Sequence, residues 1–398
     1  MSYFSAMICF RRAFCLMVLL GSGTAHAQIR AIVHPDTTVG NFFGAAVALD
    51  GNRALVGATG ESVCGPNAGA AYLFERDTTG VFLEAGQLVP NDCAPGDLFG
   101  RAVAVSGDRA LVAAGGEVVD PHRPNAVYVF ERDSTGTWQQ AAKWTGATEQ
   151  PQGVFAASIA LDGDRALVTT GGDPARRAYG GVAYVYEREA DGQWQQTARL
   201  SGSGGTSAGI FGTHGALDGE RALVTASPYD ERGTGTVYIF EREEGGSWHE
   251  TARIGDVEGF RVRADLDGDR LLIGHSRAGP QRSGVGVFYH RTSAGKWRRG
   301  ATLVPSVPYR DGGFGAAVSL DGDRALVVGY SEQIGLEFNI DRVVYAFAYT
   351  SEAGWQQQQV VDVGEWSFGT ALDQAGRVAI IGRASDDEAG SAYVVDLL

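Results

Sequence analysis

The chain has 398 residues, 44% hydrophobic and 20% charged, with 57 Gly, 12 Pro and a formal net charge of −14. That apolar fraction supports a large packed core and excludes the charge-rich, apolar-poor class of disordered chains. The acidic balance makes a poor partner for nucleic acid or anionic lipid, because phosphate contacts need clustered Lys and Arg.

The first 27 residues read as a secretory signal rather than as fold. Arg11 and Arg12 form a basic region, Ala13 to Leu20 a short apolar run, and Ala25-His26-Ala27 a small-x-small cleavage site. The apolar run is too short to anchor the chain in a bilayer, so no membrane insertion is expected and the mature chain is expected to start near Gln28. Processing takes the formal charge to −16 and leaves two cysteines, Cys64 and Cys93. In an oxidising compartment such a pair is expected to be bridged. The destination is secreted, periplasmic or cell-surface.

From residue 29 onward one unit recurs. Phe43-Gly44-Ala45-Ala46-Val47-Ala48-Leu49-Asp50-Gly51, followed by Arg53-Ala54-Leu55-Val56, returns as Phe99-Gly100-Arg101-Ala102-Val103-Ala104-Val105-Ser106-Gly107 and Arg109-Ala110-Leu111-Val112. The marker phenylalanines Phe43, Phe99, Phe155, Phe211, Phe260, Phe314 and Phe368 are 56, 56, 56, 49, 54 and 54 residues apart. A period near 50 fits a four-stranded propeller blade. Each unit predicts four strands: the F-G-x-A-V-A-L stretch, A-L-V-G-A after an Asp-Gly turn, an aromatic strand such as Ala71 to Arg76, and a polar last strand opening at a Gly-x-aromatic corner such as Gly136-Thr137-Trp138. In the first strand, Phe43, Ala45, Val47 and Leu49 are expected on one face, and Gly44, Ala46 and Ala48 on the other. The polar outer strand discourages edge-to-edge pairing.

The seventh unit stops after its third strand, at Ser391 to Leu398, whereas Ile29 to Pro35 resembles the fourth-strand endings of other units. The N-terminal strand is therefore expected to complete the last blade and close the ring. The fold class is all-β: a seven-bladed β-propeller of four-stranded antiparallel blades, forming one domain over 28–398.

The tandem units resemble the FG-GAP repeat family, whose best-known members form the propeller of integrin α subunits. The resemblance implies a binding or adhesion module, and says little about the ligand. Integrin-type repeats often carry a D-x-D-x-D-G-x-x-D calcium loop. Here Ala46, Ala48 and Ala54 stand at ligand positions, so no cofactor is expected; Asp265, Asp267 and Asp269 in blade 5 come closest to a calcium set.

A recurring Arg after the turn (Arg53, Arg109, Arg165, Arg221, Arg270, Arg324, Arg377) and Glu-Arg pairs ending the third strand (Glu75/Arg76, Glu131/Arg132, Glu187/Arg188, Glu241/Arg242) predict one repeated intra-blade ion pair. The recurring corner Trp (Trp138, Trp194, Trp248, Trp297, Trp355) predicts inter-strand packing. No catalytic residue is assigned: histidines fall at unrelated repeat positions, and no nucleophile elbow or phosphate loop occurs. Variation concentrates in the loops between strands 2 and 3 and in the connections from strand 4 to the next blade, which a four-stranded meander places at one end. They carry Trp144, Arg176, Arg177, Tyr179, Tyr229, Tyr309, Tyr330 and Trp366, residue types suited to a protein or carbohydrate ligand. A monomer presenting this face is the expected binding unit. The rivals are a lectin using Trp144 and Trp366, a propeller hydrolase or lyase acting on extracellular glycans, and a purely structural surface protein.

Overall fold

The computed structural model describes residues 29–32, 40–115, 125–146, 154–171, 180–204, 209–228, 233–259, 261–332, 340–362, 368–384 and 390–397. Seven four-stranded antiparallel sheets form a ring. Blade 1 comprises Phe43–Asp50, Arg53–Ala58, Ala70–Arg76 and Phe82–Leu88, and five more blades repeat that order. Blade 7 takes Phe368–Ala375, Val378–Ala384 and Ser391–Asp396 from the C-terminal end and its outer strand, Ile29–Ile32, from the N-terminal end. Ile29 pairs with Val395 and Ile32 with Ala392, so the expected closure is present.

The seven apolar clusters lie between blades rather than within them. Phe43, Val47 and Leu49 pack back against Val378, Ile380 and Val394 of blade 7, while Ala46 and Ala48 pack forward against Phe99, Val103 and Val105 of blade 2. The bulky face of each first strand thus meets the small face of its predecessor, which lets the inner strands approach closely. The division expected from the sequence holds, with one addition. Pairing jumps from Phe43↔Ala58 to Ala46↔Gly57, so Gly44 and Ala45 form a bulge. Gly44 has φ +88°, and a Cβ there would collide with the Ser391 carbonyl of blade 7. The F-G signature is therefore the point of nearest backbone approach between blades. Blade 3 carries Ala156 at this place, at φ +59°.

The ion pairs run between blades as well as within them, which corrects the intra-blade expectation. Glu131 accepts two hydrogen bonds from Arg188 of the next blade, from Nε at 2.8 Å and Nη2 at 2.9 Å. Glu187 does the same with Arg242 at 2.8 and 3.1 Å. The turn Arg reaches its own blade's Glu (Arg53 to Glu75, 3.1 Å) and also the next blade's turn (Arg53 to Asp108, 2.9 Å). The corner Trp is likewise an inter-blade element: Trp194 Nε1 donates to Glu131 at 3.0 Å. A carboxylate shared by two guanidinium groups fixes the angle between neighbouring blades. Burial alone would raise Glu131, but the hydrogen bonds from Arg188 and Trp194 hold it below the usual carboxylate range. Blade 7 departs from the pattern: Val378 takes the strand position of the turn Arg, and Arg377, one residue earlier, donates to the Leu397 carbonyl.

Candidate functional site: the loop-bearing end

The two ends of the ring differ. At the turn end, the Asp of one hairpin accepts the turn Gly N–H of the next: Asp50 from Gly107 at 2.6 Å, Asp162 from Gly219 at 2.6 Å, Asp267 from Gly322 at 2.7 Å. The turns between strands 3 and 4 repeat too, with Asp77 and Asp133 each capping the N–H groups two and four residues on. These carboxyls are held below their ordinary value by such bonds, the Thr79 and Thr135 hydroxyls first. This end is a repeated mechanical joint.

The other end is individual. In blade 1 the loop after strand 2 is laced to the connection leaving strand 4, through Leu98 N to Asn67 O at 3.0 Å and Phe99 N to Ala68 O at 3.0 Å. A disulfide joins Cys64 to Cys93, with Cα atoms 6.0 Å apart, across the same two segments. Beside it, Asp92 accepts from Lys143 Nζ at 2.5 Å and from the Tyr128 hydroxyl at 2.9 Å. Burial opposes ionisation of Asp92, but those two bonds hold its carboxyl below the usual range. Between blades 5 and 6 the same lacing recurs, with Asp311 N bonded to Gln281 O and Phe314 N to Ser283 O, both at 3.0 Å.

Of the ligand candidates, Tyr309 and Tyr330 are brought together. The Gly312–Gly313 segment passes between them: Tyr330 N donates to Gly312 O at 2.7 Å, and a Cβ on Gly313 would run into the Tyr330 ring. The Arg342 guanidinium lies 5.4 Å from the Tyr330 ring centre, and Arg282 pairs with Asp311 at 3.4 Å. Arg310 is 84% exposed and Val307 53%. Sequence reading missed Arg282, Val307, Arg310 and Arg342; for Arg310 the adjacent Tyr309 was a usable signal, and for the others there was none. Trp144 requires a correction. It lies within the outer strand Trp138–Thr145 of blade 2, only 8% exposed, stacked on Tyr186 with ring centres 4.0 Å apart. Its ring is packed between blades 2 and 3 and is not presented on a loop. Arg176, Arg177, Tyr179, Tyr229 and Trp366 lie outside the described residues.

The three carboxylates nearest to a calcium pattern point to three different neighbours. Asp265 accepts from Leu320 N and Leu266 N, Asp267 from Gly322 N, and Asp269 pairs with Arg221 at 3.0 Å. Among the described residues no group of three or more His, Cys, Asp or Glu converges on a point, and no helix is long and apolar enough to cross a membrane.

A family model described as FG-GAP repeat matches residues 27–74 and 82–130, two stretches that run from the closing strand into the third strand of blade 2. No curated protein matches the chain significantly. The matched residues contain the F-G bulge and the capped turn that the remaining blades restate with variations. The chain is a seven-bladed β-propeller in which residues 27–74 and 82–130 match the FG-GAP repeat.

Proposed function

We propose that this propeller is an exported binding or adhesion module whose ligand, a protein or a glycan, docks on the loop-bearing end. The observation that carries the reading is the contrast between the two ends. One is built from the same hydrogen-bonded joint blade after blade, while the other carries the sequence variation, with the described loops of blade 1 and of blades 5 and 6 laced to their neighbours and the first of them bridged by a disulfide. A rigid ring with unlike loops at one end is a common solution to ligand recognition, because the scaffold supplies order and the loops supply chemistry. Tyr309, Arg310 and Tyr330 are the described residues best suited to that role, since aromatic and Arg side chains dominate interface energetics. The test is capture from an extracellular or cell-surface fraction, run beside a glycan array. The mature chain is compared with a variant carrying Tyr309→Ala, Arg310→Ala and Tyr330→Ala. Binding lost in the variant supports the loop end; binding retained by it refutes the assignment. Release of reducing ends from a glycan would establish an enzyme, and no binding in either assay would leave a structural role.

A further inference from the structure

The axial channel, enclosing about 620 Å³, is lined by the first strands. Its wall is not uniform. At the layer four residues before the turn Asp, four blades carry alanine (Ala46, Ala102, Ala317, Ala371), whereas three consecutive blades carry Ser158, His214 and Arg263. These three form a connected arc. Ser158 Oγ lies 3.5 Å from His214 Nδ1, and His214 Nε2 lies 3.1 Å from the Ala264 carbonyl, next to Arg263. A carbonyl accepts only, so His214 carries its proton on Nε2 and presents an acceptor to the Ser158 hydroxyl. Burial, with Arg263 adding to it, pulls His214 down to about 3, so the imidazole is neutral at pH 7. The arc therefore bears one charge, that of Arg263.

That charge has no acid beside it. Arg263 Nη1 donates to the Val262 carbonyl at 3.3 Å, and no carboxylate among the described residues pairs with it. The nearest acid along the strand, Asp265, is engaged by Leu320 N and Leu266 N. The contrast with the rest of the protein is sharp, since the joint arginines Arg53, Arg188, Arg221, Arg242 and Arg291 all reach carboxylates. Burial, with Arg261 adding to it, lowers the Arg263 guanidinium to about 10. A guanidinium keeps its planar fork of donors and favours a two-oxygen partner. The alanines opposite leave room for one.

We propose that Arg263, with Ser158 and His214 beside it, forms an oxyanion-binding site in the axial channel, taking inorganic phosphate or the carboxylate or phosphate group of a larger ligand. The site is independent of the loop-end reading. The symmetry of the ring provides the test, because Arg263→Ala installs the residue that four other blades carry at this layer and is expected to fold.

Wild type and Arg263→Ala are compared by thermal unfolding and by titration calorimetry at pH 7.5, with phosphate, acetate and chloride at matched ionic strength. Arg263→Lys keeps the charge without the fork. In wild type, phosphate at tenfold its Kd is expected to raise Tm by about 2 °C above chloride. The shift is expected to vanish in Arg263→Ala and shrink in Arg263→Lys, with affinity at least tenfold weaker in Arg263→Ala. Acetate acting as well as phosphate would assign a carboxylate ligand. Equal shifts in chloride and phosphate, or the same phosphate response in Arg263→Ala, would overturn the site. Should Arg263→Ala fail to fold, Arg263→Gln carries the same comparison.

Discussion

Ile32 offers the sharpest test of ring closure. It is 5% exposed and belongs to the cluster between blades 7 and 1, while Ile29, at the other end of the same short strand, is 39% exposed. Replacing Ile32 by Ala removes three carbons worth about 0.8 kcal/mol each in transfer, plus a cavity contribution. Because a four-residue outer strand relaxes more readily than a central one, the expected loss is at the low end of the Ile-to-Ala range, about 2–3 kcal/mol. The same change at Ile29 is expected to cost less than about 1 kcal/mol. Urea unfolding of the propeller reads the difference as a shift in midpoint at constant slope. Limited proteolysis supplies an independent check, since loosening the closing strand would expose Ser391–Asp396 to cleavage first. Equal and small losses at the two positions would show that the N-terminal strand is not seated in blade 7, and the closed ring would fall with it.

Three further outcomes are expected. Reducing or deleting the Cys64–Cys93 bridge, which spans 29 residues, returns conformational entropy to the unfolded chain and costs about 3.5 kcal/mol at most; a urea midpoint unmoved by Cys64→Ala/Cys93→Ala would contradict that. Asp265 and Asp373 are raised by burial to about 6 and about 7, with repulsion from neighbouring carboxylates (Asp267 and Asp321 at the first, Asp265 and Asp321 at the second) adding to the effect. Folding thus favours their protonated forms, so their stabilising contribution is whole below about pH 4 and is lost as pH rises through 6 to 7. His214 and His275 work the other way up to about pH 6.5, since burial lowers them to about 3 and about 4. Relative to wild type, Asp373→Ala, which matches Ala48 in register, is therefore expected to gain Tm between pH 5 and pH 8, and a difference that stays constant with pH would refute the assignment. Trp144→Ala is expected to destabilise by about 3–5 kcal/mol through loss of its stack on Tyr186, with ligand capture by the folded fraction unchanged. A stable variant with weakened capture would return Trp144 to the binding surface.

The seven repeated units, their four-strand division and the closing role of Ile29–Ile32 were legible in the sequence because each rests on local signals. Alternation, the turn glycine and the F-G pair are written within one unit, and repetition multiplies a weak signal into a strong one. The Cys64–Cys93 pairing was legible for a simpler reason, since of the four cysteines only these two lie beyond the expected signal segment. What the chain could not reveal lies in contacts between units. Whether Arg188 serves its own blade or reaches back to Glu131 depends on how one blade is rotated against the next, and sequence spacing carries no trace of that angle. Trp144 reads as a loop residue because a strand's end is set by pairing with its partner, and only the assembled sheet buries it against Tyr186. Arg263 looks like one more surface arginine until seven first strands are gathered around a single axis. The sequence by itself determined what each blade is; tertiary structure decided what the blades place opposite one another, because side-chain partners across a gap are fixed by geometry that no single repeat contains.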